Sequence, residues 1–129
     1  MKDYHAVLKD GQEIYIAQWS ASVAYQNLTQ VCKAFGPARV EAIAKLDEHS
    51  MANARASFMD REDGKLLYDA MCHFVCTVGM DGKRILPNNF DQMFSEDINL
   101  PLEIFTHVVH AVYAKFFGHG SVEDSSLAS

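Results

Sequence analysis

Lys65-Leu66-Leu67-Tyr68-Asp69-Ala70-Met71-Cys72-His73-Phe74-Val75-Cys76-Thr77-Val78 is the stretch on which the fold turns. Leu67, Met71, Phe74 and Val78 recur at spacings of three and four, the stripe of a helix with one face in a core. Tyr68, Cys72, Val75 and Cys76 make the flank and back apolar as well, so Asp69 and His73 are its polar edge. A helix apolar nearly all round is either central in its fold or partly an interface.

Toward the N-terminus, Asp60-Arg61-Glu62-Asp63-Gly64 reads as a solvated turn or as the acidic first turn of that helix. Residues 47–60 fit a short helix and an ordered loop equally, because Met51, Ala52, Ala54, Ala56, Phe58 and Met59 have helix propensity but a thin apolar pattern. Before them, Val40, Ile43, Ala44 and Leu46 mark a helix that Pro37 opens, with Glu41 and Lys45 as a solvent-side pair. Gly36-Pro37 also stops the preceding helix. That helix starts from Ser20 or Ser22 as cap and carries Val23, Tyr25, Leu28, Val31, Cys32 and Phe35. Trp19, the single tryptophan, reads as a core plug just before it. Further back, Tyr4–Leu8 and Glu13–Ala17 flank Asp10-Gly11, a pair suited to the positive φ angles of a tight hairpin turn.

Toward the C-terminus, Asp81-Gly82 predicts a turn, with a small second hairpin around it. Pro87-Asn88-Asn89 precedes a short helix carrying Phe90, Met93 and Phe94. The last helix is expected to begin at Pro101 after Asn99 as cap. Its core stripe is Phe105, Val109, Val112 and Phe116, with Glu103, His107, His110 and Ala114 facing solvent, and Gly118 ends it. The expected architecture is mainly α: an N-terminal β-hairpin (4–17) packed on a bundle of four or five helices between about 20 and 117. Residues 1–118 form one domain, and 119–129 a flexible polar tail.

Composition bounds the function. A chain of 129 residues, 49% hydrophobic and 22% charged, has enough apolar content for one cored domain and is not disordered. The net charge of −6, with Lys83-Arg84 as the largest basic cluster, argues against binding a phosphate backbone. No apolar run approaches the roughly 18 residues of a membrane span, and Met1–His5 leads into no export signal. Three cysteines, an odd number, fit a reducing compartment rather than a disulfide framework.

Catalytic and metal chemistry find little support. Cys72 and Cys76 on one helix and His107 and His110 on another could supply four zinc ligands. Cysteines in an apolar setting are, however, usually small core hydrophobes. The C-x-x-x-C spacing is not the redox C-x-x-C, and no basic neighbour activates either thiol. There is no G-x-S-x-G, no phosphate-binding glycine loop and no calcium-binding loop around Asp91, Glu96 and Asp97. The expectation is a protein that is no enzyme, with no catalytic residue, metal ligand or cofactor. Apolar surface instead concentrates over Phe90–Val112 (Phe90, Met93, Phe94, Ile98, Leu100, Leu102, Ile104, Phe105), where every charge is acidic: Asp91, Glu96, Asp97 and Glu103. Surplus apolar surface rimmed by acid is what self-association or helix binding requires. Phe90, Met93, Phe94, Ile98, Leu102 and Phe105 are the candidate partner-binding residues.

Several segments carry a family resemblance. Ile14-Tyr15-Ile16-Ala17-Gln18-Trp19-Ser20 after a charged turn is similar to the opening of the tail assembly chaperones of long-tailed bacteriophages. Val78 with Asp81-Gly82-Lys83, then Asn89-Phe90-Asp91-Gln92-Met93-Phe94, then Phe116-Phe117-Gly118 resemble that family's second half, in order over residues 4–118. Residues 36–60 match nothing in it. The resemblance implies a helical, self-associating, non-enzymatic protein of the host cytoplasm that holds the tape-measure protein while tail-tube subunits polymerise around it. Its partners would be the tape-measure protein, the tail-tube protein and further copies of itself, with no nucleic acid and no membrane. Such families often also make a longer, frameshifted product. The six methionines, Met59, Met71, Met80 and Met93 among them, suit adaptable helix binding. The alternative reading is a structural tail or baseplate hub component of the virion; a third is a metal-dependent helical module built on Cys72 and Cys76.

Overall fold

Two Asp-Gly pairs build the sheet in different ways. The computed structural model describes residues 3–118, so the expected tail at 119–129 lies outside the described residues. At the first pair, strands β1 (Tyr4–Val7) and β2 (Glu13–Ile16) run antiparallel, Tyr4 opposite Ile16 and Val7 opposite Glu13. Only Gly11 has positive φ (+91°), and the Leu8 carbonyl accepts the Gly11 N–H while the Leu8 N–H donates to Gln12. The loop is therefore three residues wide and closed by one left-handed glycine; Asp10 is not left-handed. At the second pair, Asp81 (φ +50°) and Gly82 (φ +81°) are both left-handed, the geometry of a two-residue hairpin turn. It joins β3 (Val78–Met80) to β4 (Lys83–Arg84).

The hairpins do not stand apart. Ile14, Tyr15 and Ile16 of β2 pair antiparallel with Met80, Gly79 and Val78 of β3, giving one four-stranded sheet in the order β1-β2-β3-β4. Leu8, Ile14, Ile16, Val78, Met80 and Ile85 are all buried. An isolated hairpin is marginal in water, so this long-range pairing and the shared buried face give it a scaffold.

Helix α1 (Ala21–Phe35) is capped by Ser20, whose hydroxyl accepts the Val23 N–H. Gly36 (φ +92°, ψ 139°) ends it and admits Pro37 at the first position of α2 (Pro37–Ala44). The ambiguous segment 47–60 contains a helix, α3 (Ser50–Asp60), which brings the total to six among the described residues. Its thin pattern has a physical reason. The face it buries is small, Ser50, Ala54 and Ser57, and both serines satisfy their hydroxyls on backbone carbonyls of Ala42 and Asn53.

Helix α4 runs over Gly64–Val75, with the Asp63 carboxylate accepting the Leu66 N–H as its cap. Val78, expected at the end of this helix, instead begins β3; Cys76 caps the helix, its N–H bonded to the Cys72 carbonyl. Helix α5 is short (Phe90–Phe94), and α6 spans Asn99–Tyr113. The last helix thus begins two residues before Pro101, which sits within the first turn, where its missing N–H costs nothing.

It is α6 rather than α4 that lies at the centre, packed against α2, α3, α4 and β2. Phe105 stacks on Phe35 at 4.9 Å and meets Phe74 edge-on at 5.5 Å. Trp19 closes the cluster against Phe74 (5.0 Å) and Tyr113 (6.3 Å), as a core plug should. The face of α6 expected in solvent is not there: His107 Nδ1 is 3.2 Å from the Tyr4 hydroxyl, and His110 Nδ1 is 2.8 Å from the Ala44 carbonyl. Tyr113 donates to the Ala24 carbonyl at 2.7 Å. Phe116, expected in the core stripe, is exposed.

Candidate functional site

The bundle leaves one apolar face partly uncovered. The C-terminal half of α3, one side of α4, α5 and the first turn of α6 enclose a groove of about 440 Å³. Its walls are Phe58 and Met59 from α3, Tyr68 and Met71 from α4, Phe90 and Phe94 from α5, and Ile98, Pro101 and Leu102 at the start of α6. Arg55, Asp91, Ser95 and Asn99 form the polar margin.

Local sequence places each wall. The Asn89 side chain accepts the Leu86 N–H and so fixes the turn into α5, where Phe90 and Phe94, one helical turn apart, meet at 4.9 Å. Tyr68 of α4 lies edge-on to Phe90 at 5.7 Å, which joins two walls. Between α5 and α6, the Asp97 carboxylate accepts the Asn99 N–H and the Asp97 carbonyl accepts from Leu100. That tight link turns the chain and leaves Ile98 outside. Ile98 is 79% exposed and Met59 84%, the two most exposed large apolar side chains among the described residues. Phe58 and Tyr68, also on the groove, are exposed as well.

The six residues singled out by sequence divide into three groups. Phe90, Phe94, Ile98 and Leu102 line the groove, the first, second and fourth with most of their surface already covered. Met93 is half-buried against the core outside the lining, and Phe105 is fully buried in the central aromatic cluster. Sequence reasoning touched the α3–α4 wall only through Met59 and Met71, as methionines suited to helix binding, and placed none of its candidate partner-binding residues there. The signal for it is the position of Phe58 and Met59 off the small buried stripe of their own helix: Phe58 reaches the core only edge-on, against Phe35, and Met59 stays exposed.

The other chemistry is quiet. Cys72 and Cys76 lie 3.7 Å apart between sulfurs, while His107 and His110 are engaged with Tyr4 and Ala44. Among the described residues no three His, Cys, Asp or Glu are grouped to hold a metal ion. Burial first, then the hydrogen bond the Cys76 thiol makes to Cys72, pushes that thiol up to about 12, and a thiol held protonated is a poor nucleophile. No helix of the described residues is long and apolar enough to cross a membrane.

Comparison with known proteins agrees with an interaction role. No curated protein and no solved structure matches the chain. A family described as phage tail assembly chaperone protein, TAC, matches residues 10–123, a stretch that takes in every residue of the groove and also residues 36–60, for which the sequence reading found no counterpart. A match over so much of its length settles the classification: the chain belongs to the phage tail assembly chaperone family.

Proposed function

We propose that this chaperone binds the tape-measure protein and keeps it competent for tail-tube assembly, with the groove between α3, α4, α5 and α6 as the holding surface. The observation that carries the reading is the convergence of Met59 and Ile98, the most exposed large apolar groups, on one apolar cleft. Large exposed apolar patches on a folded protein mark interaction sites, because covering them lowers the free energy, near room temperature mainly through entropy. Met59 and Met71 are unbranched and polarizable, so the wall they form adapts to partner side chains of differing shape. The role is one of binding rather than catalysis. It is exercised in the host cytoplasm by one domain, residues 1–118, that also associates with copies of itself and acts beside the tail-tube protein.

The test is to mix a tape-measure fragment with the chaperone at equimolar ratio and measure what stays in solution. Wild type is expected to keep the fragment soluble, and the double variant Met59→Asp/Ile98→Asp to fail while its own unfolding midpoint is unchanged. Unchanged aggregation with wild type would sink the reading. So would finding the protein at stoichiometric amounts in purified virions, the result expected of a structural tail or baseplate component.

A further inference from the structure

We infer that the occupant of the groove is an amphipathic helix whose apolar row is flanked by lysine or arginine. The inference rests on the binding role just proposed and specifies the partner segment's chemistry.

The walls settle the secondary structure of the guest. They are side chains of four helices, and neither edge of the sheet borders them. An extended peptide would bury its own N–H and C=O groups against phenylalanine and methionine, with no strand to pair with. A helix satisfies its backbone internally and presents only side chains.

The margin settles the charge. The α5 side and the link into α6 carry Asp91, Glu96 and Asp97, all exposed. Among the described residues, neither Asp91 nor Glu96 has an ion-pair partner, and the Asp97 carboxylate is engaged only with backbone. The one basic side chain on the lining is Arg55, across the groove on α3. On the lining itself Asp91 stands against Arg55. Glu96 and Asp97, between the lining residues Ser95 and Ile98, add two exposed carboxylates on the α5 side, and with a net charge of −6 over the chain they favour a cationic guest and repel an anionic one, a second copy of this acidic chain included. Polar margins around an apolar centre act mainly on partner choice and association rate.

The experiment uses three labelled peptides with the same leucine row at helical spacing and flanks of lysine, glutamine or glutamate, titrated with the full chain by fluorescence anisotropy. The lysine peptide is expected to bind at least tenfold tighter than the glutamate peptide at low salt, and the gap to shrink as salt rises. Asp91→Asn/Glu96→Gln should narrow the gap while glutamine-peptide binding stays put, and an unchanged gap overturns the inference; Ile98→Asp should weaken all three. Equal affinities for the lysine and glutamate peptides overturn the inference. If Ile98→Asp still abolishes protection of the tape-measure fragment, the holding role stands without the charge rule; if it does not, both fall. Sedimentation showing the groove variants dissolving an oligomer, with no peptide bound by wild type, assigns the face to a second copy and also overturns it.

Discussion

Ile98 and Phe105 were equivalent candidates as residue types in sequence, and the structure gives them opposite work. Phe105 is fully enclosed between Phe35 and Phe74. Phe105→Ala should destabilise the fold by about 3–5 kcal/mol, since it loses both the transfer energy and the filled volume. Urea unfolding would show this as a lower midpoint. Ile98→Ser should change stability by less than about 0.5 kcal/mol, as exposed substitutions do, yet weaken partner binding. Equal destabilisation by the two would contradict this division. His107 supplies a pH signature. Burial first, then the nearby His110, lowers its pKa from the ordinary 6.5 to about 4. Above pH 6.5 the imidazole is neutral in both folded and unfolded chains and has no effect. Between 6.5 and 4 the unfolded chain takes up the proton and the folded chain does not, so stability falls with falling pH, at most by about 1.4 kcal/mol per pH unit. Unfolding at pH 7 and pH 5 should show that loss in wild type and a smaller one in His107→Phe.

At the scale of elements, the joints are set by a few backbone positions. Gly36 holds φ +92° and ψ 139° between α1 and α2, a region that side-chain-bearing residues rarely enter. Gly36→Ala is expected to cost about 1–3 kcal/mol of stability from strain alone, since the added methyl would meet only Arg61 at an ordinary 3.5 Å. Asp63→Ala should cost about 1 kcal/mol by leaving the Leu66 N–H without its cap. Thermal melts of both variants, with groove binding retained in each, check the pair. The Gly36-Pro37 joint was legible because glycine and proline act through local sterics; Asp63 was read only as part of a solvated turn or acidic first turn, and its capping bond to Leu66 emerged with the structure. Helix α3 was not legible, because its buried stripe is made of serine and alanine. Helix α4 was read one turn too long: Val78 fits the helical stripe by spacing, but it lies in the sheet, where its C=O accepts the Ile85 N–H and it stands opposite Ile16. A sequence pattern cannot weigh a helical partner four residues away against a strand partner 62 positions earlier.

At the scale of the whole molecule, the groove exists because elements far apart in sequence converge. Arg55 and Leu102 line the same cleft from α3 and α6. The proposed binding at the groove would select the folded state, so a tape-measure fragment at about a hundred times its dissociation constant should stabilise the chaperone by about 2.7 kcal/mol. Calorimetry should show a raised melting temperature for wild type and none for Met59→Asp/Ile98→Asp. A rise of the same size in that variant would move the binding site elsewhere.

Local chemistry in the chain determined the mainly helical class, both Asp-Gly turns, the Gly36-Pro37 break, the Trp19 plug and the apolar, acid-edged character of residues 90–105. These depend on steric preferences and periodicities that act within a few residues. Tertiary structure alone decided that the two hairpins share one sheet, that α6 and not α4 is the central helix, and that Phe105 goes inward while Ile98 stays out. It also decided that Phe58 and Met59 complete the groove. The reason is that spacing gives a side chain its direction on its own helix, whereas burial depends on which other element arrives to cover that direction.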